Sequence, residues 1–573
     1  MPEGLVWVTN DEDEIFTSPN AERGGTFNDF ILSFPLTLRL IGPDSNGGFA
    51  SILRPNHMMN LVDIHPNTLK YIPSLATHWA FHPDGKTVSY RLNPDATWSD
   101  GKPITADDYL FTWDFATSEY TLTPYYQDYF GDVVVKITKH DDYTISIEGS
   151  TPKPQNELPY EYSVWPVPRH FHRLDANWVQ DYNWRVEPNP GPYQVSRVEK
   201  GQFIEFSRRD DWWGDQLKYK QHRFNPDTVR YTVIRDQNVA WEYFLRGELD
   251  SFPVVMPNYW HEKAVGKPFD NGWIHRIKFY TDTPQPSQGL WLNMDDPLLA
   301  DQNVRYGLAY SMNVDRLLTT VLRGDYERLR MHYDGYWDYS NPTIQPREFN
   351  LDLAEQYFAA SGWTERGPDG IRVRNGQRLA FTVNYSSQEH TPRLVLLREE
   401  AKKAGVELNL QLMDSSASFK QILEKKHQIA WMAWSTSLYP TFWQHYHSEN
   451  AHIAQTNNIT NTDNPELDAL IDNYRAATDT ESRQRYSHEI QQMIHDIGMF
   501  IPMYKVPYTR EAYWRWLQLP EHHATRTTDT IFDPMAEGLF WIDQAIKAET
   551  LAAIREDRAF EPVYIEDTRW RVD

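Results

Sequence analysis

The chain has 573 residues, 40% hydrophobic and 24% charged, with a formal net charge of −24 and no cysteine. That balance fits a globular protein of roughly three to four ordinary domains. It argues against nucleic-acid binding, which needs clustered Lys and Arg, and it excludes disulfides, thiolate catalysis and Cys-ligated zinc.

No apolar run reaches the roughly 18 residues of a membrane span. The start, Met1-Pro2-Glu3-Gly4-Leu5-Val6-Trp7, lacks the basic and apolar regions of a signal peptide. Taken alone, that start favours the cytoplasm. Aromatic residues reach 14%, so beyond large cores some are expected to line a binding surface.

In chain order, Asp11-Glu12-Asp13-Glu14 reads as a solvated acidic loop, and Gly24-Gly25-Thr26-Phe27 opens a strand. Asp44-Ser45-Asn46-Gly47-Gly48 is a polar loop in which Ser45 and Asn46 are candidate ligand contacts. Val88, Tyr90 and Leu92 alternate with Thr87, Ser89 and Arg91, the period of a half-buried strand. Asp84-Gly85 and Asp100-Gly101 are tight-turn pairs. Thr105 is an expected helix N-cap, with Asp108 placed to close a capping box. Leu353 to Gly362 reads as a helix stopped by Gly362, and Ser482 to Pro502 as a helix followed by an Ile501-Pro502 step.

The segment Ile429-Ala430-Trp431-Met432-Ala433-Trp434 is an apolar strand, continued by Ser435-Thr436-Ser437-Leu438-Tyr439-Pro440-Thr441-Phe442-Trp443. Hydroxyls and aromatics at the end of a buried strand suit a cleft wall. Trp434, Ser435, Thr436, Ser437, Tyr439 and Trp443 are therefore the first candidate ligand contacts. Asn384 and Tyr385, after the strand Phe381-Thr382-Val383, form a second candidate wall. Trp291 and Asn293 form a third.

Catalytic patterns are missing from the sequence. Gly85-Lys86-Thr87 lacks the first glycine of a phosphate-binding loop, since Ala80 stands there. His445, His447 and His452 with Glu449 match no metal-site spacing. There is no Gly-x-Ser-x-Gly and no His-Glu-x-x-His. No catalytic residue, cofactor or metal is expected.

The order of pieces from Tyr71 to Phe115 resembles the family 5 extracellular solute-binding proteins of ABC importers. Further landmarks follow in sequence: Pro190-Gly191-Pro192-Tyr193, Arg209-Asp210-Asp211-Trp212-Trp213, Gly247-Glu248-Leu249-Asp250, Asn303 to Arg316, and Leu353 to Trp363. The resemblance covers roughly residues 25–515. It implies an α/β, two-lobed periplasmic-binding-protein fold of class II, cluster C type, with an extra domain inserted in the first lobe. The implied parts are 1–50 (first lobe), 51–190 (extra domain), 191–290 (first lobe), 291–508 (second lobe) and 509–573 (first lobe).

Many oligopeptide binders of this family carry an acid between the Trp and Pro that align with Trp434 and Pro440, and it pairs with the peptide amine. Ser437 stands near that place here. The Ser437-Leu438-x-Pro440 pattern is similar to the YejA-type branch. The resemblance implies a monomeric periplasmic protein whose leader has been replaced by Met1. It would capture an oligopeptide or peptide-like solute by lobe closure and deliver it to an ABC permease. An oligosaccharide carrier of the same family and, more remotely, a cleft hydrolase are the alternatives.

Overall fold

A computed structural model describes residues 4–572. The chain divides into two compact units. One holds everything up to Asp282 and from Tyr508 onward; the other is Thr283–Pro507.

The first unit contains three four-stranded sheets. In one, Thr26–Ile31 runs parallel to Thr228–Val233, followed by Phe203–Arg208 and Tyr193–Glu199. A second is an antiparallel sheet of Ala76–Phe81, Thr87–Leu92, Thr144–Gly149 and Val134–Asp141. The third brings the returning chain home: Tyr508–Trp514 lies between Ser251–Pro253 and Ile274–Tyr280.

Asp250 shows why the step after Gly247 is built as it is. Its fully buried carboxylate accepts Asn28 N at 2.7 Å and Trp516 Nε1 at 2.7 Å. One acid thus fastens the first strand to the C-terminal segment, with charge-assisted bonds that outweigh neutral ones.

Several expected local structures are present. Thr105 caps the Ala106–Thr117 helix, and Asp108 Oδ2 accepts Thr105 N at 2.9 Å to complete the capping box. The Leu351–Ala360 helix ends before Gly362, whose φ of +77° favours glycine. The strand at Thr87–Leu92 departs from its expected half-burial, because only Arg91 is exposed. Ser89 Oγ lies 2.8 Å from Ser146 Oγ, so the polar face of the alternation is covered and satisfied from inside.

The second unit is built on a six-stranded mixed sheet. Across it run Glu327–Arg328, Phe500–Lys505, Gln288–Leu292, Ile429–Met432, Ala380–Tyr385 and Glu407–Leu412. Ala380–Tyr385 is parallel to both its neighbours; Gln288–Leu292 is antiparallel to both of its own. Each face of the sheet carries a separate apolar core. Leu290, Leu292, Val383 and Trp431 belong to one; Trp291, Ala430 and Phe500 belong to the other. Gly289 is required at the centre, since a Cβ there would stand 2.5 Å from Ile501 O.

Candidate functional site

Parallel strands present ligand-binding groups at their carboxyl ends, where loops leave the sheet. In the second unit those ends are Tyr385 and Met432, beside the start of the antiparallel strand at Gln288. The chain leaving Met432 is the aromatic and hydroxyl segment singled out in the sequence.

Trp434 is half-buried over an aromatic floor. Its ring lies 4.9 Å from His445, with Trp291 and Phe419 each 6.3 Å away and edge-on. Its indole Nε1 is buried without a hydrogen-bond partner. Ser435 and Thr436 are exposed. Ser437 ties the turn to itself, giving its Oγ proton to Tyr439 O at 2.6 Å. Tyr439 packs on Tyr339 at 5.5 Å. Trp443 donates Nε1 to Glu449 Oε2 at 3.0 Å and carries Arg475 over its ring at 5.1 Å.

Beneath the floor, His332 Nδ1 and Tyr446 OH are 2.7 Å apart, and Tyr333 OH lies 3.1 Å from His445 Nδ1. Burial pushes His332 far below the usual imidazole range and His445 down to about 3. Both are neutral scaffold groups that shape the support for Trp434.

Four of the expected contacts are buried and bonded within the protein. Trp291 is 1% exposed and donates Nε1 to Met432 O at 3.1 Å. Asn293 is buried; it donates to Lys425 O and His427 O and accepts from Asn461 Nδ2. Asn384 is buried with its amide on Gln421 Oε1 at 2.8 Å. Tyr385 is buried with its hydroxyl 3.0 Å from Thr391 Oγ1. Trp291 and Tyr385 belong to the two apolar cores, and the amides of Asn293 and Asn384 are engaged by His427 O and Gln421 Oε1. In the first unit, Ser45 is likewise buried and gives its hydroxyl proton to Gly42 O, while Asn46 beside it is exposed.

The histidines of the Gln444 to His452 segment do not converge. His445 faces the aromatic floor, His447 Nδ1 accepts Glu449 N, and His452 sits against Asp295.

The other face of the same sheet end holds groups the sequence reading missed. Trp431 is 3% exposed, and its Nε1 has no hydrogen-bond partner. Its ring lies 5.7 Å from His390 and 6.1 Å from Tyr504. His390 Nδ1 and Gln288 Nε2 are also buried without partners. Gln288 is the register partner of Tyr504. Arg393 stands in the same cluster, bonded to Tyr504 OH with its guanidinium 5.3 Å from that ring.

Local structure explains the convergence. The turn after Tyr385 is closed by His390 N donating to Ser387 O, and Pro392 then starts the Thr391–Lys403 helix. Burial, aided by Arg393, lowers His390 to about 3, so its ring is neutral at working pH.

Single orphaned indoles occur elsewhere, at Trp98 and Trp363. Here three orphaned nitrogens belong to residues linked through the Trp431 and Tyr504 rings to the buried Arg393. A buried unsatisfied donor costs about 1–3 kcal/mol, so such a set is suited to receive an acceptor-rich anion. An alternation of apolar residues gives no sign of this. His390 could be suspected only because it follows a strand end.

The sequence signature of the bacterial extracellular solute-binding proteins, family 5, matches residues 70–451. The chain belongs to that family. This family 5 protein is 25% identical over 436 residues to the oligopeptide-binding protein AppA of Bacillus subtilis, covering 72% of this chain and 74% of AppA. It is 22% identical over 477 residues to the uncharacterized protein YejA of Escherichia coli, covering 78% of each.

The solved AppA structure, in complex with a nonapeptide, superposes with a TM-score of 0.76 at 22% identity, over 91% of this chain and 100% of that one. A periplasmic oligopeptide-binding protein of Thermotoga maritima with mannohexaose bound gives 0.74 at 18% identity, over 91% and 98%. The fold is thus the two-lobed α/β fold of this family. Among the described residues, no helix is long and apolar enough to cross a membrane.

Proposed function

We propose that this protein is the periplasmic capture subunit of an ABC importer, binding an oligopeptide-like solute with a free carboxylate and passing it to the permease unchanged. The observation that carries the carboxylate is the set of orphaned nitrogens of Gln288, His390 and Trp431 beside Arg393. The N–H groups of Trp431 and Gln288, with His390 in its Nδ1–H tautomer, suit a carboxylate, and charge-assisted bonds are roughly twice as strong as neutral ones. Trp434 and Tyr439 offer large, rigid surface to side chains or to the peptide backbone. The peptide reading also draws on AppA, which is named for oligopeptide binding and was solved with a nonapeptide.

A second reading, an oligosaccharide carrier, is favoured by the half-buried rings of Trp434, Tyr439 and Trp443 and by the mannohexaose in the Thermotoga relative. Sugars lack the carboxylate that the orphaned donors call for.

Thermal unfolding of ligand-stripped protein against peptide and oligosaccharide panels decides between them. A true ligand at 100 times its dissociation constant adds about 2.7 kcal/mol of stability. Free-acid peptides are expected to raise the midpoint more than their C-terminal amides. A shift given by oligosaccharides and by no peptide would overturn the reading.

A further inference from the structure

The first unit holds a cavity of 310 Å³, within the range of about 300–1,000 Å³ usual for small-molecule sites. Its wall joins an adaptable apolar part to a polar one that holds Asp63, Lys220, Arg223 and Glu537. Met58, Met59 and Met535 contribute to it together with Phe16, Trp212 and Phe224. Methionine side chains fill irregular space and re-pack around different shapes. Asn60 and Ala536 are the exposed members of the lining and mark its mouth.

Two cations enter the wall from one turn. His222 and Phe224 in that turn take φ of +62° and +56°, a conformation costly for residues with a side chain. Lys220 is buried and donates one Nζ hydrogen bond to Asp63 Oδ2 at 2.5 Å, leaving two N–H groups. Burial, with Arg223 nearby, presses the Lys220 pKa down against the opposing pull of its ion-pair partner Asp63.

Arg223 gives its donors to the main-chain oxygens of Glu537, Tyr219 and Ala536. Those bonds fix the guanidinium and bring it no formal negative charge. The remaining acid of the lining, Glu537, accepts Thr528 Oγ1, and burial raises it to about 7. It therefore offsets only part of a charge at neutral pH.

We propose that this cavity is a second small-molecule site, taking a compact apolar monocarboxylate. The apolar body would lie among the methionines and rings, with the carboxylate on Lys220 and facing Arg223. This site is separate from the strand-end cluster of the second unit and does not rest on the peptide reading.

The test is calorimetric titration of the full chain with phenylacetate, with phenylacetamide and phenethylamine as shape-matched controls. One saturable site is expected, with the amide and the amine each weaker by about tenfold or more. Lys220→Met removes the ammonium, and Met535→Trp fills the cavity. Each is expected to abolish phenylacetate binding with the circular dichroism spectrum unchanged, while Trp434→Ala retains it. Should Lys220→Met fail to fold, Met535→Trp decides alone. Absence of saturation, equal binding of the amide, binding that survives Met535→Trp, or loss in Trp434→Ala would each overturn the proposal.

Discussion

Trp431 and Trp434 stand three residues apart at one strand end, yet they serve opposite faces of the sheet. Trp431 packs between His390 and Tyr504, and Trp434 lies on His445. Each buries an indole Nε1 that no protein atom accepts. The two positions separate what a carboxylate contributes to binding from what apolar surface contributes.

Trp431→Phe keeps an aromatic ring in the core and removes one orphaned donor, at the cost of a smaller side chain. Stability should stay close to wild type, because removing a buried group that costs about 1–3 kcal/mol for lack of a partner offsets the lost packing. Affinity for peptides with a free carboxylate should fall about tenfold, and that for C-terminal amides should not change. Calorimetry with matched acid and amide peptides, together with thermal unfolding, reads both. A less stable variant with unchanged affinity would assign Trp431 to the core.

Trp434→Ala takes away the surface resting on His445 and Trp291. The variant should lose about 2–3 kcal/mol of stability, less than a fully buried Trp because the ring is half exposed. The midpoint rise caused by ligand should shrink for acid and amide peptides alike. An unaltered rise would place the ligand elsewhere.

Sequence pattern made the elements legible where the signal is local. The capping box at Thr105, the strand Ile429–Met432 and the helix stop at Gly362 all depend on neighbours within a few residues. It also picked the Trp434–Tyr439 segment, because aromatics and hydroxyls after an apolar run are a local signature. The orphaned donors were not legible. Gln288, His390 and Trp431 come from three separate segments, and what singles them out is a missing partner, which only packing reveals. The same holds for the internal bonds of Asn293 and Asn384, whose partners lie in other segments. A polar residue near a strand end looks available until its cross-strand acceptors are known.

His390 gives a proton-linked test. Its ring is held at about 3 by burial and by Arg393. A carboxylate docked against it favours the charged ring and raises that value. Binding should then take up protons, so affinity for free-acid peptides should climb as pH falls from neutrality toward the free-state value of about 3. Calorimetry in two buffers of different ionisation enthalpy measures the uptake directly. In His390→Asn the dependence should flatten. Wild-type affinity that ignores pH would remove His390 from the site.

Gly289→Ala tests the tight centre of the second unit's sheet. The added Cβ would sit 2.5 Å from Ile501 O, with the Phe500 ring nearer still. Main chain cannot yield as a flexible side chain does, so a loss of about 1–3 kcal/mol or more is expected. A midpoint within error of wild type would show that the Gln288–Leu292 and Phe500–Lys505 strands can move apart at no cost.

Glu511 sets a pH dependence in the first unit. It lies on the Tyr508–Trp514 strand, 2% exposed, accepting Ile531 N at 2.8 Å, and burial raises its carboxyl to about 8. Asp29 and Asp529 add like charge from nearby, and Asp29 is itself raised to about 7. A carboxyl whose folded pKa is raised holds its proton more tightly in the native state. Its contribution is complete below the unfolded value of about 4.3 and is lost as pH climbs toward about 8. The buried histidines have the opposite sign, since their depressed values withdraw stability as pH falls below about 6.5. The comparison of wild type with Glu511→Gln isolates the acid, because glutamine keeps the acceptor for Ile531 N and cannot ionise. The variant should match wild type near pH 4 and exceed it increasingly up to about pH 8, by an amount on the order of a kcal/mol or more. Unfolding curves that stay parallel across that window would mean that Glu511 is already ionised in the folded protein, with a counter-charge drawn close to it.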